Sequence, residues 1–197
     1  MGSHHSKDLA GHSRRGYKRS TSSKSHSSLQ SSTPSALYKS ANFAEDGRQY
    51  HNVASSAYFL PKDDREQDRL IIHHYCLKLA FSGNLVAPVE ELLREEGGKV
   101  LDIGCGPGIW ALEMAHDFDK AEVHGCDFAE MYPVEIKPAN AIFNLVNILD
   151  RLPYPDNHFD LVQIRTFVVA LRTHEWPAAI KEVYRVLKPG RGLGTIC

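Results

Sequence analysis

The chain has 197 residues, with 23 Lys and Arg against 24 Asp and Glu and a formal net charge of −1. That length holds one α/β domain with a tail, and the charge is unevenly spread: residues 1–40 carry a net of +6 and the remainder a net of −7. The acidic remainder lacks the basic face of a nucleic-acid binder, no apolar run reaches the ~20 residues of a membrane-spanning helix, and the N-terminus has no apolar signal core. The four cysteines show no CxxC spacing and read as reduced thiols of a cytoplasmic chain, with membrane association and the nucleus left open.

Residues 1–40 contain thirteen serines and almost no aliphatic pattern. So little apolar surface cannot offset the entropy of ordering, and the expectation is a disordered tail. Its start, "MGSHHS", matches the pattern that exposes Gly2 for myristoylation. Arg14, Arg15, Lys18 and Arg19 would supply the polybasic second signal for peripheral membrane contact. The same letters also fit a tag remnant, although only two histidines follow Gly-Ser.

Residues 41–97 read as an N-terminal helical arm. Pro61 precedes a helix, Asp63 caps its first turn, and Glu66 completes a capping-box spacing. Leu70, Ile71, Tyr75, Leu77, Leu79 and Phe81 give it an apolar side, and Gly83-Asn84 stops it. A short helix is expected over residues 89–96.

Residues 98–197 alternate strands and helices. "KVLDIG", "AEVHGCDF", "AIFNLVN" and "HFDLVQIR" are strands, and "MYPVEIKPAN" is irregular. "GIWALEMAHDF" is a helix with Ile109, Leu112 and Ala115 inward. Residues 175–187 form an amphipathic helix through Trp176, Ile180, Val183, Tyr184 and Leu187, ended by Pro189-Gly190. The pattern implies an α/β fold, a doubly wound and mostly parallel sheet covered on both faces.

In such a sheet ligands sit beyond the carboxyl ends of the strands, at the point where strand order reverses. The first strand ends in Gly104-Cys105-Gly106-Pro107-Gly108, where a missing Cβ lets a ligand approach the backbone. A dinucleotide would place its pyrophosphate on the next helix, usually with the spacing G-x-G-x-x-G. S-adenosylmethionine carries no phosphate and needs an acid for its ribose and acceptors for its ammonium group. The spacing here is G-x-G-x-G after Asp102, and Asp127 closes the second strand where a ribose-binding carboxylate belongs. The glycines alone do not separate the two ligands.

The later segments do. "LPYPDNHFDLVQIR" followed by "EVYRVLKPG" resembles the class I S-adenosylmethionine-dependent methyltransferases, in the order and spacing of every segment. The arm carries Leu60, Pro61, Asp63, Glu66 and Arg69. It resembles the fungal branch related to the velvet-complex methyltransferase regulators of secondary metabolism. The resemblance implies a Rossmann-like methyltransferase fold and S-adenosylmethionine as cofactor. It implies that Gly104, Cys105, Gly106 and Gly108 lie against that cofactor, with Asp102 in the network around its amino-acid end. Asp127 would take the ribose hydroxyls, Phe128, Asn147 and Ile148 the adenine, and Tyr58 and Arg69 would act as a lid. Arg165, at the end of the fourth strand, faces the same crevice. No metal site and no catalytic base follow from it, and the methyl acceptor stays unidentified.

Several of these residues have a plainer use. Asp63 and Glu66 serve as caps, Asp160 as a structural acid, Arg69 as a partner of nearby acids, and Trp110 and Trp176 as core. His73 and His74 face different ways and show no metal spacing. The resemblance fails at "KPGRGLGTIC", where the family has a second glycine and continues through further strands. The expectation is a truncated fold lacking the last two strands, with Leu193, Thr195 and Ile196 on an open edge. Two readings remain: a methyltransferase, or a non-catalytic S-adenosylmethionine-binding or membrane-tethered module.

Overall fold

The computed structural model describes residues 41–44, 47–95 and 97–196. The tail with its Gly2 motif and basic cluster, and Cys197, lie outside the described residues. No helix among the described residues is long and apolar enough to cross a membrane.

The arm opens with an antiparallel hairpin of β1 (Ala41–Phe43) and β2 (Gln49–His51). Helix α1 (Asp64–Ala80) follows, capped by Asp63, whose carboxylate accepts the Glu66 amide at 3.0 Å. Arg48 grips the same carboxylate through two nitrogens at 2.6 and 3.0 Å, so the cap also fastens helix to hairpin and holds Asp63 far below the usual carboxylate range. Glu66 turns its carboxylate to Arg69, at 2.7 and 3.0 Å. The expected apolar side of α1 is largely overturned. Its buried residues are Glu66 and His74, while Tyr75, Leu79 and Phe81 are exposed together with Ile72. Leu70 and Leu77 do face inward, toward a cavity.

Helix α2 (Glu90–Glu95) leads into the core. There β3 (Lys99–Ile103), α3 (Ile109–Asp117), β4 (Glu122–Asp127), β5 (Ala141–Leu145), β6 (Phe159–Arg165), α4 (Trp176–Val186) and β7 (Leu187–Ile196) follow in turn. The strands form one sheet in the order β5-β4-β3-β6-β7, every pair parallel. Order reverses between β3 and β6, which puts the ligand crevice at the carboxyl end of β3.

Successive strand residues point to opposite faces, and β3 feeds both cores. Leu101 and Ile103 pack with Phe159, Val162 and Val183 on one face, and Val100 packs with Leu93, Trp110 and Met114 on the other. The expected inward faces hold in part: Ala115, Val183 and Leu187 are buried and Trp176 packs on the core. In α3 the buried set is Trp110, Ala111, Met114 and Ala115, with Ile109 and Leu112 half-buried. Gly108, left-handed at φ 78°, is the residue that precedes the helix. In α4 Ala179, Val183 and Val186 are buried and Tyr184 is exposed. The chain passes from α4 directly into β7, so Pro189-Gly190 falls inside the strand. Its pairing there jumps from Phe159↔Leu187 to Leu161↔Gly192, an irregularity that admits the positive φ of Gly190.

Candidate functional site

A cavity of about 300 Å³ opens over the carboxyl ends of β3, β4 and β6, roofed by the arm. Its size is that of a small-molecule pocket. Asp102, Gly104, Cys105, Gly106, Asp127, Phe128, Asn147, Ile148, Arg165 and Tyr58 all line it. Gly108 does not.

The three glycines have different work. All are left-handed, at φ 71°, 53° and 78°, where a side chain is strained. A Cβ on Gly104 would stand 2.4 Å from the Phe167 ring, and one on Gly108 would stand 2.8 Å from the Phe143 ring. Those two make room for aromatic packing. At Gly106 a Cβ would meet only Leu70, at an ordinary 3.6 Å, so this glycine leaves free space on the cavity side. Cys105 is buried with its sulfur over Gly125. Burial pushes its thiol far up, which leaves it a packing residue without thiolate character.

Asp127 is buried at the end of β4, one oxygen accepting the Gly106 amide and the other the Ala129 amide, each at 2.9 Å. A carboxylate offers about four lone-pair sites, so both oxygens keep capacity for a ligand. Burial raises its pKa, against the backbone donors of Ala129, Gly106 and Phe128. Asp102 is equally buried, and burial pushes it up to about 7, with Arg165 opposing and Asp127 adding to the rise.

The adenine-side residues sit together but are used in part by the protein. Phe128 meets His51 edge-on at 4.8 Å and Tyr58 at 5.9 Å. His51 also bonds the Tyr58 carbonyl at 2.6 Å, and burial raises the Tyr58 phenol. The side-chain carbonyl of Asn147 accepts the Leu149 amide at 3.0 Å, closing a turn that presents Ile148 to the cavity.

The sequence reading missed a polar chain along the roof. Glu113 Oε2 accepts from His74, Lys78 and Asn84 at 2.9, 2.9 and 2.8 Å. Arg165 Nη2 lies 3.1 Å from His74 Nδ1, and the Arg165 guanidinium rests over the Trp110 ring at 5.7 Å. In the sequence His74 raises only a question of metal binding. Its partners lie 39 and 91 residues away, and no local spacing announces them. Asp160 is structural, binding the Lys99 amide and Lys188 at 3.0 and 2.8 Å.

Residues 100–190 match the methyltransferase-domain family. Over 159 residues the chain is 33% identical to the secondary metabolism regulator LAE1 of Cochliobolus heterostrophus, covering 78% of this chain and 50% of that protein. It is 34% identical over 150 residues to the protein-methionine methyltransferase laeA of Emericella nidulans, covering 74% and 38%. Methyltransferase pytC of Aspergillus terreus shows 34% identity over 150 residues, covering 73% and 43%. The chain thus spans half or less of the length of these relatives. Among solved structures, one chain superposes with a TM-score of 0.51 at 25% identity, covering 68% of this chain and 56% of its own. It comes from the complex of the Haloferax volcanii Trm112 methyltransferase activator with a methyltransferase. Residues 100–190 thus carry a methyltransferase domain, with a strand order and glycine loop in keeping with it, and the chain is similar to fungal regulators of secondary metabolism.

Proposed function

We propose that this chain binds S-adenosylmethionine in the cavity and transfers its methyl group to an acceptor. One observation carries the reading: Gly106, whose missing Cβ leaves free space, is hydrogen-bonded to a buried strand-end carboxylate that keeps unused lone pairs. That pairing suits a nucleoside with vicinal hydroxyls held against bare backbone. Bound, the sulfonium supplies a methyl carbon that bonds to the acceptor's nucleophilic atom as its bond to sulfur breaks, the electron pair leaving with S-adenosylhomocysteine.

The protein's share is alignment and exclusion of water. In this reading Asp127 accepts from both ribose hydroxyls and Gly106 admits the sugar. Phe128 and Ile148 flank the adenine, and the turn closed by Asn147 fixes the backbone beside it. Asp102 faces the ammonium group. Tyr58 and the Glu66-held Arg69 cover the opening from the arm.

Calorimetric titration of the full chain with S-adenosylmethionine and S-adenosylhomocysteine, with NADH as control, tests this. Saturable binding of the first two alone is the expected result, abolished by Asp127→Ala. Binding of NADH, or of none of the three by folded protein, overturns it. The name of the regulator LAE1 supports a second reading, binding without turnover. Release of methyl label to an acceptor in fungal extract separates the two.

A further inference from the structure

Asp102 and Arg165 stand on adjacent strands at the switch point, where β3 and β6 pair Asp102 with Gln163. Both line the cavity, and each feels the other's charge. Yet Arg165 forms no ion pair with any carboxylate among the described residues, and its Nε is buried without a partner. Arg165 lies two residues beyond Gln163, and its guanidinium is turned to His74 and the Trp110 ring instead.

His74 is the side chain that Arg165 meets by hydrogen bond. A guanidinium nitrogen only donates, so His74 Nδ1 accepts from Arg165 Nη2 at 3.1 Å. The ring proton therefore sits on Nε2 and is donated to Glu113 at 2.9 Å. Lys78 and Asn84 fix Glu113 in turn. This chain of contacts from Glu113 through His74 sets a tautomer and, through it, the place of a guanidinium.

We infer that His74 is a positioning residue: it draws Arg165 away from Asp102, so that the cavity presents a separate cation and anion to a ligand bearing a carboxylate and an ammonium on one carbon. The inference rests on the S-adenosylmethionine reading and names how this chain selects the amino-acid end. Arg165 takes the carboxylate and Asp102 the ammonium. The arm helix thereby takes part in cofactor recognition through His74, which it contributes to the wall. If His74 could not accept, Arg165 would close on Asp102 and both charges would be spent internally.

S-adenosylhomocysteine and 5′-methylthioadenosine, which lacks the amino-acid end, serve as probes on the full chain. Wild type should prefer S-adenosylhomocysteine by roughly ten- to a hundredfold, the range for hydrogen bonds to charged groups. His74→Gln keeps a donor toward Glu113 and places no acceptor at the Nδ1 position. It should lose most of that preference while binding 5′-methylthioadenosine as wild type does. His74→Asn, with an oxygen near the Nδ1 position, should retain the preference. Arg165→Lys should lose it without depending on His74 at all. Equal weakening of both ligands by His74→Gln and Arg165→Lys, or no change in preference, overturns the inference. Failure of wild type to bind either probe overturns the cofactor reading and the inference with it, a different outcome from loss of preference alone.

Discussion

Asp127, the last residue of β4, accepts the backbone N–H of Gly106 at 2.9 Å. The strand-end acid and the glycine loop after β3 are therefore one unit, 21 residues apart in sequence. Replacing Asp127 with Asn would keep the shape but turn one accepting oxygen into an amide facing the Gly106 or Ala129 N–H. A buried donor left unpaired costs about 1–3 kcal/mol. Urea unfolding of Asp127→Asn should show a loss of that size. An unchanged midpoint would mean that the carboxylate does not hold the loop.

The glycines should separate stability from binding. Gly106→Ala carries only the left-handed backbone cost of about 1–2 kcal/mol and intrudes on the cavity side. Gly104→Ala adds a clash with Phe167 at 2.4 Å, worth a further ~1–3 kcal/mol of overpacking. Thermal unfolding should rank Gly104→Ala below Gly106→Ala. Equal melting temperatures would count against the packing role given to Gly104.

Asp102 should leave a pH signature. Its pKa is raised to about 7 by burial, so the stability its protonation confers is full below about pH 4, the unfolded carboxylate value. That stability is lost as pH rises toward 7. At about 1.4 kcal/mol per pH unit, Asp102→Asn should gain on wild type by up to about 4 kcal/mol between pH 4 and 7. A difference that stays flat across this range would show an ionised Asp102 throughout. Under the proposed function an ammonium beside Asp102 favours its charged form. Binding of S-adenosylmethionine near pH 7 should then release a proton, read as a buffer-dependent enthalpy.

Asn140 offers a control away from the site. Its side-chain amide donates to the carbonyls of Ala115, Phe118 and Ala121 at 2.9, 3.2 and 3.0 Å, gathering the end of α3 and the start of β4. Asn140→Ala should cost about 2–3 kcal/mol in denaturant unfolding and leave ligand affinity unchanged. A drop in affinity at full stability would place Asn140 in the site's support.

The sequence by itself determined the alternation of strands and helices, the glycine loop ending β3 and the acid ending β4. These are local features: apolar period, turn residues and strand ends act within a few positions of one another. Tertiary structure alone decided that α1 buries Glu66 and His74 while exposing Leu79. It also decided that Gly104 and Gly108 serve aromatic rings while Gly106 faces the cavity, and that Arg165 meets His74. Helical period marks which residues share a face, and only the partner across the gap decides whether that face meets core, cavity or water. For α1 much of the partner surface is a polar-rimmed cavity supplied by strands far along the chain. The face that packs is accordingly the one carrying an acid and an imidazole.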